Sequence, residues 1–415
     1  MDLTWDLKLI RYQSTVKSLA SGAITTPIIN LGAHGFADSF FSKDMIHEAS
    51  ATAPLICRLD KNSGLVQVEN LTLADDRYNY VDYSYTSSNS QISRAHWSEF
   101  IASVGNRVKL NSSTILEIGS NDGFLLELAK AFTNNVVGID ASDYMVNLAN
   151  GSGIKTIKGV FGESPEIIEN LKHEYHRFDL IFANNVVNHS NNPIDFISDI
   201  RKLLSIDGVF VFEVPYWLET IKSYRFDQIY HEHVTYLSIE SAEFLLNKCG
   251  LYVNDVQIVD YHGGSLRIYA SLNNSSSRAK YNLLEIEKGY KLKEISTYIE
   301  YSDKIQKIKG DFLKKIDQKK YNGIFGIGAA AKANTFLTYY GFNQNSMSFL
   351  LDSSPFKQGK ITPVTKIPIM ADDFVATLTK GTGIVLAWNL GASLKNKLLS
   401  INSNLEFIDT FGDVN

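Results

Sequence analysis

From residue 114 onward the chain alternates short apolar runs with helical stretches, and no other feature restricts the fold as much. Apolar runs stand at residues 114–118, 136–139, 180–183 and 209–214. Strands covered on both faces read as continuous apolar runs, and the helices between them supply the cover. The alternation predicts a doubly wound parallel α/β sheet. Further helix-like and strand-like pieces follow at residues 239–248, 252–259 and 266–270. A second unit with the same layout starts at residue 324. GIFGIGAAAKANT leads through a helical stretch to FLLD, which ends on Asp352. Two Rossmann-like units in tandem are therefore expected, joined by residues 278–320. That joining stretch is charged and apolar at helical spacing, and it reads as one or two solvated amphipathic helices.

The length of 415 residues accommodates two to three domains. With 44% apolar and 20% charged residues the composition is that of an ordinary globular protein. The 40 basic against 45 acidic residues give a net charge of −5. That balance argues against nucleic acid as the main partner, because phosphate backbones are held by a basic surplus. The two cysteines, Cys57 and Cys249, exclude a disulfide scaffold and an all-cysteine zinc site. No apolar run is long enough for a membrane span, and the mixed, charged N-terminus lacks the apolar core of a signal peptide. The expectation is a cytoplasmic protein with reduced thiols, and a monomer.

Residues 1–107 have no clean period. Strand-like pieces stand at 27–31 and 64–68. The polar, aromatic stretch YNYVDYSYTSSNSQISRAHW, residues 78–97, reads as a surface loop.

The turn after the first run is LEIGSNDG, residues 116–123. Gly119 permits close approach of backbone to a ligand, and Gly123 permits an unusual φ and tight packing. The following helix start offers unpaired N–H groups. A nicotinamide site would read G-x-G-x-x-G. Here Glu117 and Asp122 flank the turn, and two carboxylates repel a pyrophosphate. They suit a ligand with a cationic end, such as the amino group or sulfonium of S-adenosylmethionine. Asp140, at the end of the next run, is placed to accept from ribose hydroxyls. A nicotinamide site and a purely structural turn stay open as alternatives.

Residues 224–236 read YRFDQIYHEHVTY. His231, Glu232 and His233 carry ligand atoms, but histidines two apart on a strand face opposite sides, so a metal is disfavoured. A structural role for half-buried tyrosines and hydrogen-bonded histidines remains open. The third reading is acid–base chemistry by a histidine beside a carboxylate. Position supports it, since the segment follows a strand and so lies at the carboxyl edge of the sheet. Asn184, Asn185 and His189 reach the same edge. His262, Gly263, Gly264 and Ser265, with Arg267, form a Gly-rich turn that either clamps a phosphate or sugar or is a plain β-turn.

The motifs LEIGSNDG (116–123), ANNVVNH (183–189), FEVPY (212–216), FDQIYHEHVTYLS (226–238), HGGSLRIYA (262–270), GIGAAAKANT (326–335) and Asp352 with SSPFKQGK (353–360) stand in this order. Together they resemble the nucleotide-sugar C-methyltransferases of deoxysugar biosynthesis, over nearly the whole chain. The resemblance implies a central Rossmann-like class I methyltransferase domain that binds S-adenosylmethionine. It also implies a small N-terminal α+β domain covering the substrate and a C-terminal Rossmann-like domain holding the nucleotide. The corresponding boundaries are 1–80, 81–277, 278–320 for the helical connection, and 321–415.

The implied reaction is methylation of a ring carbon next to the ketone of a dTDP-4-keto-6-deoxy sugar. Carbon has no lone pair, so a proton must leave first and the enolate must be stabilised. By resemblance His233 is the base, Tyr230 and Glu232 position it or the substrate, and His189 polarises the carbonyl. Glu117, Gly119, Asn121, Asp122, Gly123, Asp140, Asn184 and Asn185 are the implied cofactor contacts. His231, His262, Ser265, Arg267, Lys332 and Lys357 are the implied substrate contacts, the lysines on phosphate. One of Tyr78, Tyr80, Tyr83 and Tyr85 would match the family's tyrosine contact to substrate.

The chain departs from that family in one respect. The family's N-terminal domain carries two C-x-x-C pairs on a structural zinc. Asp60 and Ser63 stand where the second pair belongs, and residues 9–14, where the first is expected, contain no cysteine. No zinc and no other metal is expected. One alternative keeps the keto-sugar site but changes its chemistry to epimerisation or hydrolysis of a branched sugar. Another is a sugar-nucleotide binding partner without catalysis.

Overall fold

The computed structural model describes residues 12–73, 76–77, 86–88, 90–319 and 323–411. Tyr78, Tyr80, Tyr83 and Tyr85 lie outside the described residues.

The centre is a seven-stranded sheet. Its order is Tyr252–Val259, Ser265–Ser271, Leu204–Pro215, Phe178–Phe182, Ile115–Ile118, Val136–Asp140, Thr156–Lys158. The chain enters in the middle at Ile115–Ile118 and winds outward through two strands. It then returns to set Phe178–Phe182 on the other side of the first. A crevice opens outside the carboxyl ends of strands at such a reversal. Ser265–Ser271 runs antiparallel to both its neighbours, while the other pairings are parallel. The purely parallel sheet expected from the alternation is corrected here for a physical reason. The turn between 259 and 265 is too short for a crossover, so the strands it joins must form a hairpin.

Two more expectations are corrected. Residues 78–97 are not a loop throughout, because Gln91–Gly105 is a helix started by Ser90, whose side chain accepts the Ser93 N–H. Trp97, Phe100, Ile101 and Val104 form its buried stripe. The polar residues before it mask that stripe in the sequence. Residues 278–319 form the two amphipathic helices expected, but one face of them is packed on the rest of the protein instead of being solvated. The helices Arg278–Tyr290 and Ile295–Asp317 bury Tyr298, Tyr301, Ile305, Phe312 and Ile316. Tyr298 accepts the Trp217 indole N–H at 3.1 Å, and the Tyr216 hydroxyl donates to Glu287 at 2.8 Å.

On the N-terminal side, an antiparallel sheet runs in the order Thr235–Tyr236, Val66–Val68, Ala53–Leu59, Thr26–His34. Its first strand belongs to the segment YRFDQIYHEHVTY, so this sheet holds that segment directly. Asp60 is a hub at the end of Ala53–Leu59. Its Oδ2 accepts from Ser18 Oγ and Ser63 Oγ, each at 2.6 Å, and its Oδ1 accepts the Asn62 N–H at 3.0 Å. Burial alone would raise this carboxyl, but the hydrogen bonds from Ser18, Ser63 and Ser21 outweigh it and hold the pKa below the ordinary value. Ser18 and Ser21 repeat the two-residue gap of Asp60 and Ser63.

The C-terminal unit is a five-stranded parallel sheet ordered Ile369–Met370, Leu350–Leu351, Ile324–Ile327, Gly381–Val385, Leu405–Asp409. It is tied to the rest through main chain. Lys360–Ile361 pairs antiparallel with Phe41–Ser42, and Thr335 Oγ1 donates to the Ile229 carbonyl at 3.1 Å. Among the described residues, no helix is long and apolar enough to cross a membrane.

Candidate active site

A cavity of about 670 Å³ lies where the three parts meet. Its walls are the carboxyl edge of the central sheet, the loop after Thr26–His34, the segment before Thr235–Tyr236, and the edge of the C-terminal sheet.

One end is the reversal point of the central sheet. Gly119 has φ +71°, and a Cβ on it would stand 2.3 Å from Val186 Cγ2. Gly123 has φ +80° and packs on Ile154 and Ala149, so it shapes the turn without reaching the cavity. Asp140 closes Val136–Asp140 and lines the cavity. Its Oδ2 accepts the Asn121 N–H at 2.8 Å and its Oδ1 the Ser142 N–H at 2.9 Å. Asn121 (φ +52°) and Asn185 (φ +55°) take left-handed backbone, which asparagine tolerates. Asn184 Oδ1 accepts the Glu213 N–H at 3.0 Å, while its Nδ2 is buried without a partner. Gly119, Asn121, Asp140, Asn184 and Asn185 all line the cavity.

Glu117 and Asp122 do not line it, which corrects their placement on the ligand's cationic end. Burial, then the charges of Asp122 and Asp140, push the Glu117 carboxyl well above the ordinary range. Asp122 Oδ2 accepts from Ser88 N–H at 3.0 Å and Ser88 Oγ at 2.6 Å, and Asn121 Oδ1 accepts the Ser87 N–H at 2.8 Å. These side chains hold residues 86–88 across the turn. The donors and acceptors that remain suit S-adenosylmethionine. Asp140 keeps lone pairs for hydroxyls, Asn184 has an unpartnered amide, and Gly119 leaves its backbone bare.

At the other end stand His189, Tyr230, Glu232, His233 and His262. His233 Nδ1 lies 3.0 Å from the Gln228 carbonyl and Nε2 lies 2.6 Å from the Tyr230 hydroxyl. A carbonyl only accepts, so Nδ1 carries the proton and Nε2 accepts from Tyr230. Burial pushes this imidazole down to about 4, so it is neutral near pH 7. The His189 ring stands edge-on to it at 5.0 Å between centroids, with Nδ1 buried and unpartnered. Burial, with His233 and Arg77 adding repulsion, keeps His189 well below the histidine range. Glu232 Oε1 accepts the Asp38 N–H at 2.9 Å, and Oε2 is buried without a partner. Burial pushes this carboxyl up to about 8.

Lys332 and Lys357 reach the cavity from the C-terminal unit. Burial pulls Lys332 down to about 8; it lies 4.1 Å over the Trp388 ring and donates to Asn389. Lys357 Nζ donates to the Ala329 carbonyl at 2.9 Å.

Three implied substrate contacts are placed elsewhere. His231 is fully buried against the N-terminal sheet, with Nε2 3.4 Å from the Pro54 carbonyl and its ring edge-on to Tyr12. It points away from His233 because the chain turns between them, with the His233 N–H donating to the Tyr230 carbonyl. Ser265 Oγ donates to the Tyr261 carbonyl at 2.9 Å. Arg267 is fully buried and pairs with Glu213 at 2.5 Å and Glu99 at 2.8 Å. The Gly-rich turn offers no phosphate clamp, since a Cβ on Gly263 would meet the Trp388 ring at 2.1 Å. Arg77 and Asp38 went unnoticed in the sequence. Arg77 is buried and donates to the His189 carbonyl at 2.6 Å. Neither sits in a motif with a mechanism, and only the fold brings them to the cavity.

Residues 90–256 match the sequence model of a methyltransferase domain, and residues 260–408 match that of a C-methyltransferase C-terminal domain. The chain is a methyltransferase. Its central sheet, with one reversed strand beside an otherwise parallel series, is the class I methyltransferase fold. This methyltransferase is 28% identical to the C-methyltransferase NovU of Streptomyces niveus over 336 residues, 80% of this chain and 78% of that protein. It is 30% identical to a ubiquinone biosynthesis O-methyltransferase of Pelagibacter ubique over 127 residues, 30% of this chain and 50% of that one. Among solved structures it is similar to the magnesium protoporphyrin IX methyltransferase of Synechocystis with bound SAH. That match has a TM-score of 0.34 at 14% identity, covering 43% of this chain and 82% of that one. An S-adenosylmethionine-dependent methyltransferase of Archaeoglobus fulgidus matches with a TM-score of 0.35 at 18% identity, over 43% and 93%.

Proposed function

We propose that the protein is an S-adenosylmethionine-dependent C-methyltransferase acting on a ring carbon next to the ketone of a nucleotide-linked 4-keto-deoxy sugar. The observation that carries this reading is the Tyr230–His233 pair in a cavity between the methyl-donor end and the C-terminal lysines. O-methylation begins from a lone pair on oxygen. C-methylation needs a proton removed from carbon, and this pair is built to take one.

S-adenosylmethionine, when bound, supplies an electrophilic methyl group. The residues of the chain do the rest. Asp140, Asn184 and the bare backbone at Gly119 hold the donor. The Tyr230 hydroxyl passes its proton to His233 Nε2 as it takes the ring-carbon proton, so the proton count balances. Gln228 keeps His233 in the tautomer that leaves Nε2 open. The electron pair left on carbon spreads to the ketone oxygen, where the unpartnered Nδ1 of His189 can donate. Glu232, with its raised pKa, is available as a neutral donor to the same ring. Lys332 and Lys357, two cations that line the cavity on the side of the C-terminal unit, support a reading in which the nucleotide phosphates bind there.

The test is a mass measurement. The protein is mixed with S-adenosylmethionine and a panel of nucleotide-linked 4-keto-6-deoxy sugars. A gain of about 14 Da on the sugar nucleotide, the mass of one methylene, absent with His233→Ala, supports C-methylation after proton removal. Bound S-adenosylmethionine with no gain on any sugar would overturn the substrate class.

A further inference from the structure

Residues 35–40 form a loop that enters the cavity from the N-terminal sheet, and Asp38 on it lines the cavity wall. The Asp38 N–H donates to Glu232 Oε1 at 2.9 Å, which sets the residue beside the reacting end. Its carboxylate accepts no hydrogen bond from the described residues. The backbone around it is fixed. The Asn334 side chain donates to the Ala37 carbonyl, Ser39 Oγ donates to the Phe36 carbonyl at 2.8 Å, and Phe41–Ser42 pairs with Lys360–Ile361.

Asp38 is half-buried on the cavity wall, and its carboxylate is open to the cavity with its acceptor sites available to a ligand that brings a donor. A rigid support at such a position is what a recognition residue needs. The surroundings select the ligand's chemistry. Asp352 and Glu232 are the nearby acids and Lys357 the nearby cation. Asp38 would repel a phosphate, which is better served by Lys332 and Lys357. A neutral ring hydroxyl can donate to it without any charge being brought in.

We infer that Asp38 is a specificity-determining residue, accepting a hydrogen bond from a hydroxyl of the substrate ring held against Glu232 and His233. This rests on the keto-sugar reading and narrows it to rings that keep a hydroxyl within reach of Asp38. It also gives the N-terminal part a role in choosing the substrate.

The experiment compares the wild type, Asp38→Ala and Asp38→Asn. The substrates are dTDP-4-keto-6-deoxyglucose and its 2-deoxy and 3-deoxy analogues. Asp38→Ala is expected to raise KM on the full substrate about tenfold or more, with kcat within about threefold. On the analogue lacking the hydroxyl that Asp38 reads, the variant and the wild type should match. Affinity for S-adenosylmethionine should not move. An unchanged KM on all three sugars, or an equal rise on all three, overturns the inference and leaves Asp38 a structural residue. If a melting curve shows that Asp38→Ala is unfolded, the near-isosteric Asp38→Asn carries the test with the same pattern at smaller size. A wild type that methylates none of the sugars refutes the keto-sugar reading, and this inference with it. A wild type that turns over while the variants show no selective effect refutes the role of Asp38 alone.

Discussion

The Tyr230 hydroxyl lies 2.6 Å from His233 Nε2, so the nitrogen that faces the cavity already accepts a proton donor. The other ring nitrogen is held on the Gln228 carbonyl. On the proposed reading, a tyrosine would stand between the substrate and the histidine that the resemblance implies as the base. Tyr230→Phe keeps the ring and removes the relay. It should lower kcat by about 10²–10⁴, the usual range for one proton-transfer group, while S-adenosylmethionine affinity stays constant. An equilibrium binding measurement beside steady-state kinetics separates the two.

The pH profile follows from the same pair. Burial lowers His233 to about 4, and a base works only when unprotonated. The acid limb of kcat/KM should therefore fall as pH drops through about 4. An ordinary histidine would place that limb near 6.5. A rate at pH 5.5 equal to that at pH 7 fits the buried neutral imidazole. A half-maximal point between 6 and 7 would mean that His233 is solvated in the free enzyme.

Glu232 makes a stability prediction of opposite sense. Its folded pKa is raised to about 8, above the unfolded carboxyl value. The folded state therefore binds the proton more tightly. The resulting stability is complete below the unfolded pKa and is lost as pH rises through about 8. Glu232→Gln removes this dependence. The melting temperature of the variant should gain on the wild type between pH 5 and pH 9. A constant difference across that range would show that Glu232 is not buried as the carboxylic acid.

Arg267 marks the boundary of what the motifs reveal. HGGSLR looks like a phosphate clamp in one dimension, but in three Arg267 is enclosed by Glu213, Glu99 and the Phe100 ring. Arg267→Ala leaves the fully buried Glu213 with only the His96 ring nitrogen, at 2.7 Å, as a side-chain partner, and removing one member of a buried ion pair typically costs about 3–5 kcal/mol. Denaturant unfolding should show that loss. KM for the sugar nucleotide should stay within about threefold in whatever fraction remains folded.

The strand-and-helix alternation and the Gly119 turn were legible because they are local, set by periodicity and by one φ value. The reaching of Asn184, Asn185 and His189 to the same edge was legible for a related reason, since strand ends in such a sheet share an edge. The antiparallel hairpin was only half legible, since turn length gives pairing but no run of residues reports orientation. Arg77 and Asp38 were invisible. Each reaches the cavity through contacts more than a hundred residues away in sequence, to His189 and Glu232. His231 misled for the converse reason. It neighbours His233 in sequence, yet the chain turn sends it to Pro54 and Tyr12.

The Asp60 hub gives the last prediction. Ser18, Ser21 and Ser63 converge on one carboxylate. A buried carboxylate with several donors ties two loops together much as a metal would. Deleting it leaves those donors unpaired. Asp60→Ala should destabilise the fold by about 2–4 kcal/mol, the scale of one or two charge-assisted hydrogen bonds. The folded pKa is lowered, so this stability is present above the unfolded carboxyl pKa and is lost as pH falls through the folded one. A chelator should leave the wild-type melting temperature unchanged. A chelator-induced fall would mean that a metal, and not the serine-bonded carboxylate, holds the N-terminal sheet.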